Sequence, residues 1–183
     1  IKNDRENKAN DLQNASIKIS DLLIDSLSGD DKTRFYHTKD ISATLENYQY
    51  ESEDKHYLIR FDELSGSTAE KSAKLIGLRI IPKYSEKEFS ALLKEQTDRY
   101  ALSFEEISLN QINYPLLSTE HQFHASLLSI KGADIAIFLD RALPNSKLDR
   151  AGNFPPRMLK KFSWDTQIDT IKLNSSKISY AEY

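Results

Sequence analysis

The sequence predicts an α+β fold: a single domain with a mainly antiparallel sheet, one well-capped helix at about 86–99 packed on it, and a polar N-terminal helix. Three observations predict it. Ser85 and Glu88 form the two ends of a capping box, with Tyr84 and Phe89 at the positions of a hydrophobic staple. Leu75 to Ile81 is a largely apolar run of strand length, stopped by Pro82. Several further runs rich in β-branched and aromatic residues are separated by short polar turns.

The elements follow in chain order. Leu12, Ala15, Ile19 and Leu22 are spaced three or four apart, which predicts a helix within a polar segment 1–28, ended by Gly29. A competing pattern runs through it, because Ser16 to Ser20 alternates with period two as a strand would. Residues 29–183 are then expected to form the globular domain. Residues 35–64 read as extended, with a hairpin around Glu51 to Asp54 and a Ser/Gly loop after Leu64. Phe89, Leu92, Leu93 and Tyr100 mark the expected buried face of the capped helix. Leu102 to Leu109 fits strand or helix, and Asn113-Tyr114-Pro115 ends it.

Phe123 to Ile130 and Ala133 to Leu139 read as two strands joined by a tight turn at Lys131-Gly132. Residues 144–157 hold three prolines and a glycine and read as a long irregular loop. Ile168 to Ile178 reads as an edge hairpin around Asn174-Ser175. The expected core gathers Ile76, Leu78, Ile80, Phe89, Leu92, Leu93, Ile135, Ile137 and Leu139.

Composition bounds the function. The chain has 183 residues, 39% hydrophobic and 29% charged, which is ordinary for a folded protein. It contains no cysteine, so disulfides, thiolate metal sites and cysteine nucleophiles are excluded. No apolar run is long enough to span a bilayer as a helix. Abundant Lys, Asn, Ile and Ser point to an AT-rich genome, bacterial or phage. A cytoplasmic location is the expectation. The first residue, Ile1, leaves a removed leader and a periplasmic or secreted location open. Charge is uneven: residues 1–54 carry seven basic against twelve acidic side chains, and residues 141–183 carry eight against four.

The chemical motifs are weak. Gly66 to Ser72 lacks the glycine that a phosphate loop places before its lysine, and Glu70 stands there instead. His121 and His124 are three apart in an extended stretch, where the rings would point to opposite faces and not share a metal. Asp62-Glu63 and Glu105-Glu106 are adjacent carboxylates, expected on opposite faces of their strands. Asp140 closes an apolar strand and is the best single acid, with Arg141 as its expected salt-bridge partner. No pattern requires a cofactor or a metal.

The most suggestive region is 141–164. Arg141, Lys147, Arg150, Arg157, Lys160 and Lys161 are interleaved there with Phe154 and Trp164. Cations and aromatics make protein interfaces and also single-strand nucleic-acid surfaces. The expectation is a non-catalytic binding or accessory protein, a subunit acting through protein partners or self-association. Nucleic-acid binding by the 141–164 segment is the alternative, and an enzyme with an acidic site near Asp140 is the third.

Overall fold

The computed structural model describes residues 10–25, 31, 34–120, 122–145 and 165–183. Strands take 62% of the described residues and helices 10%, so the expected α+β fold is corrected: these residues form a mostly β structure built on one mixed sheet of nine strands. The strands are β1 (Asn10–Ser20), β2 (Asp40–Glu51), β3 (Tyr57–Ser67), β4 (Ser72–Pro82), β5 (Arg99–Ile112), β6 (Gln122–Lys131), β7 (Asp134–Leu139), β8 (Asp165–Asn174) and β9 (Lys177–Glu182). Two short helices interrupt them, α1 (Glu86–Leu92) and α2 (Tyr114–Glu120).

β1 to β5 form an antiparallel meander. β6 and β7 both pair with β5, in one unbroken register from Ile112↔Ala125 to Arg99↔Phe138. They are therefore two parts of one long line, not the two arms of a hairpin. Gly132, at φ +60, stands where a turn was expected, but the chain bends there and continues. β8 and β9 repeat this, lying parallel to β6 and β7 with the same offset throughout. The edge hairpin expected at Asn174-Ser175 is likewise a bend in one line. The Gly132 amide donates to Asn174 O, and the Lys177 amide donates to Ala133 O.

The N-terminal helix is replaced by β1, which pairs with β2 from Asn10↔Tyr50 to Ser20↔Asp40. The period-two pattern wins over the helical stripe for a physical reason. A lone helix of this length is marginal in water, whereas the edge of β2 offers a ladder of backbone partners.

The capping box forms as its sequence dictates. Ser85 Oγ accepts from the Glu88 amide, and Glu88 Oε2 accepts from the Ser85 amide at 2.9 Å. The helix ends at Leu92, about two turns short of 99, because Leu93 is already extended and Gln96 is drawn toward the end of β7. The Gln96 amide donates to Pro144 O, and its side chain donates to Leu143 O and Arg141 O. Phe89 alone in α1 is buried, against His56 and Tyr57. His56 also meets Tyr84 edge-on, so it sits between the two staple residues. At the opposite end of the sheet Asn113 caps α2, its side-chain oxygen accepting from the Leu116 amide, and Tyr114 packs on Phe35.

The single expected core does not form. Phe89 and Leu139 are buried, Leu92 is 50% exposed, and the other expected members are half-buried. Among the described residues only Phe89, Ile112, Ala125, Ala133 and Leu139 are buried apolar residues. The sheet is one layer, and neither helix covers its middle.

Candidate binding surface

A strand presents alternate side chains to opposite faces, so a register table sorts residues into rows across the sheet. One row runs Ala15, Leu45, Leu64, Leu75, Ile107, Ile130, Leu173. Two residues along, the next runs Ile17, Ala43, Gly66, Ala73, Leu109, Leu128, Ile171. Both rows are wholly apolar from one edge to the other. The row between them lies on the other face: Ser16, Thr44, Ser65, Lys74, Ser108, Ser129, Lys172. The sheet is thus amphipathic across its full width.

Beyond a line through the middle of the sheet the parity reverses in every strand. There the apolar row is Tyr50, Ile59, Ile80, Leu102, Ile135, Ile178, and the adjacent polar row is Gln49, Arg60, Arg79, Ser103, Asp134, Lys177. In β4, for example, the apolar rows take the odd-numbered Ala73 and Leu75 before the line and the even-numbered Leu78 and Ile80 after it. The residues on this line are Asn47, Asp62, Gly77, Glu105, Gly132 and Ser175. The strands that run in one direction place a left-handed residue on it: Asn47 at φ +54, Gly77 at +66, Gly132 at +60 and Ser175 at +51. A left-handed residue breaks the strand's alternation. In these strands pattern reversal and conformational reversal cancel, which lets the apolar rows on both sides of the line share one face.

Ion pairs support this phase change. Lys74 meets Glu106 and Lys131 meets Glu105, each at 3.9 Å. Lys131 stands opposite Glu106 in the register, so Glu105 and Glu106 both reach the polar face although adjacent in sequence. Asp62-Glu63 lies at the same line, with Asp62 3.7 Å from Arg79. The expectation that adjacent carboxylates face opposite sides is therefore corrected for Glu105-Glu106. The glycines there make room for these acids. A Cβ on Gly77 would stand 2.0 Å from Asp62 Oδ2, and one on Gly132 would stand 2.3 Å from Glu105.

Among the described residues no second layer covers the apolar face. At its two edges Ile17 is 70% exposed and Ile171 57%, while the central members of the rows are half-buried by their neighbours only. The end near Gln122 carries His124, whose Nε2 lies 3.1 Å from both oxygens of Asp169. This contact and the Gln167 amide hold the Asp169 carboxyl below its ordinary range. Ser126 also bonds to Asp169, not to the histidine, so no hydroxyl is activated as a nucleophile here. Every displaced carboxylate among the described residues is displaced downward, by bonds that hold turns and edges. Asp40 is the clearest, accepting from the Ala69 amide and from Ser67 and Thr68 at the β3–β4 turn. A general acid needs the opposite displacement.

Of the sequence-derived site residues, only Arg141 lies within the described structure. It pairs with Glu182 at 2.5 Å, and its amide donates to Tyr183 O, which ties the end of β7 to the end of β9. Lys147, Arg150, Phe154, Arg157, Lys160, Lys161 and Trp164 lie outside the described residues, as does His121. Asp140 is not paired with Arg141 as expected. Its carboxylate accepts from the Ala142 amide at 2.9 Å and so closes a turn. The described residues contain no cluster of His, Asp or Glu fit to hold a metal. A shallow cleft between Arg79–Pro82, Ala101–Ser103 and Asp134–Ala136 brings no acid–base pair together. No helix among the described residues is long and apolar enough to cross a membrane. No protein family, curated protein or solved structure matches the chain.

Proposed function

We propose that this chain is a non-catalytic binding protein whose working surface is the apolar face of the sheet, covered in use by a protein partner. The single observation that carries this reading is the pair of apolar rows running uninterrupted from β1 to β8, backed by a polar row of serines, threonine and lysines. A sheet with one apolar face buries that face against another layer. Among the described residues no such layer exists, and seven lines of strand make the band about 30 Å wide. Covering an exposed Leu or Ile stabilises by at most about 1.5–3 kcal/mol per side chain, so a few such contacts supply substantial affinity. The open edge strand adds backbone donors and acceptors that only another polypeptide chain takes up in register.

A second reading rests on a separate observation: the two rows hold only Ala, Gly, Ile and Leu. Such a strip has no polar group to orient a peptide and fits long acyl chains equally well. Mass spectrometry of the purified chain under native conditions, followed by solvent extraction, separates the two. A protein species lost in Leu75→Asp and kept in Ser65→Asp supports the first reading, and extracted lipid lost in the same variant supports the second. If the two variants behave alike and nothing is bound, the apolar face is not a binding surface.

A further inference from the structure

The two edges of the sheet differ in how well they are protected. Edge strands are templates for further pairing, and proteins blunt them with charges, proline and bends. The β8–β9 edge carries Asp165, Asp169, Lys172, Lys177 and Glu182, and it bends at Ser175. In β1, from Gln13 to Ser20, there is one charge, Lys18, and neither proline nor a left-handed residue. Every side chain from Gln13 to Ile19 is exposed. Asp21, at φ +54, ends the strand.

We propose that β1 pairs with β1 of a second copy of this chain, antiparallel, about a two-fold axis at Ile17. This contact uses the open edge strand and goes beyond the binding reading above, because edge-to-edge pairing widens the apolar face without covering it. The register follows from the side chains. With Ile17 opposite Ile17, Ala15 faces Ile19 on the apolar side, and Ser16 faces Lys18 on the polar side. A two-fold at Lys18 would oppose the two lysines, which destabilises a strand pair. A two-fold at Ser16 would set Ile19 against Gln13 and leave the apolar row broken. An axis perpendicular to the sheet keeps each face on its own side. The row Ala15–Leu45–Leu64 therefore continues into Ile19–Ile41 of the second copy. The dimer is a closed, isologous contact, so it does not propagate into fibres.

The chain's lack of cysteine makes the test clean. Residues directly opposed in an antiparallel pair have Cα atoms about 4.5–5.5 Å apart, within disulfide reach. The full 183-residue chain is expected to sediment at twice 21.0 kDa. Ile17→Cys should form a disulfide dimer on mild oxidation, whereas Lys18→Cys, off the axis, should not. Ile17→Lys should sediment as a single chain with an unchanged circular dichroism spectrum, and Ile171→Lys on the other edge should stay dimeric. A wild-type chain that sediments singly overturns the pairing. So does a dimer that Ile17→Lys leaves intact and Ile17→Cys fails to cross-link. Either result leaves the binding reading to be judged separately, on species lost from Leu75→Asp and retained by the single-chain wild type.

Discussion

The two halves of the sheet, one on each side of the line through Gly77 and Gly132, solve the same problem with different side chains. The half nearer α2 presents short aliphatic residues, Leu45, Leu64, Leu75, Ile107 and Ile130, and among the described residues no other layer packs on them. The half nearer α1 presents Tyr48, Tyr50, Tyr57, Phe61, Tyr100 and Phe104, and its rings engage one another. Tyr48 stacks on Phe61 with centroids 5.1 Å apart, and Tyr57 meets Phe89 edge-on at 6.1 Å. Aromatic pairs contribute about 0.5–1.5 kcal/mol beyond their buried area. The α1 half thus supplies part of its own cover, and the α2 half depends on something else to cover it. Both share one face only because the strands reverse phase at the line between them.

That dependence gives the largest expected effect. Gly77 is left-handed, and a side chain there meets Asp62. Gly77→Val should destabilise the chain by at least about 2 kcal/mol, because a β-branched residue cannot adopt this conformation without strain. Ser175→Gly, on the same line, should stabilise or be neutral, because Ser175 already bears the left-handed conformation without needing its side chain. Urea denaturation of both variants checks the pair. Equal and small shifts would mean that the line is not a built feature.

The next effect sharpens the α1 side. Ser85→Ala removes one half of the capping box and should cost about 0.5–2 kcal/mol. Leu92→Ala, at the far end of the helix and half exposed, should shift stability by less than about 0.5 kcal/mol. The contrast separates a capped helix from a helix held by a buried stripe, and a large loss at Leu92 would restore the stripe.

The smallest effect is a titration. Burial pushes the Tyr100 hydroxyl up to about 12, reinforced by the Asp98 carboxylate to which it donates. A raised folded pKa favours the neutral form in the fold. Its contribution is complete below the unfolded value near 10 and is lost as pH rises from there through about 12. Absorbance at 295 nm should show Tyr57, Tyr114 and Tyr180 also displaced upward, with a last step that is missing in Tyr100→Phe. Ionisation of all tyrosines in one step near 10 would place Tyr100 in solvent.

Much of the strand content was legible. Leu75 to Ile81, Phe123 to Ile130 and, from its second residue on, Ala133 to Leu139 lie in strands β4, β6 and β7, and Ser85 caps α1 as its spacing implies. The misreadings have identifiable causes. In β1 the same alanine and isoleucines satisfy both a period of two and spacings of three and four, and the choice was made by β2, which is remote in sequence. Gly132 was a real signal, but isolated glycine in a strand pattern marks a bend as readily as a turn. The phase reversal left a trace in each strand, such as odd apolar positions before Gly77 and even ones after it. One strand alone does not distinguish that trace from irregular patterning. It becomes a rule only when six strands are laid in register. The binding surface was hidden for the same reason, since its rows join residues from Ala15 to Leu173 that no local window contains.

The most direct test of the shared face uses β4, where Leu75 and Ile80 would point to opposite sides of an uninterrupted strand. Single cysteines at Leu75, Ile80, Lys74 and Arg79, each carrying a bimane label, are to be examined with and without dodecylmaltoside micelles as an apolar probe. Blue-shifted emission is expected at Leu75 and Ile80 together, with Lys74 and Arg79 unchanged. A shift at Leu75 and Arg79 with none at Ile80 would show that the alternation runs straight through Gly77, and would contradict the continuous apolar face.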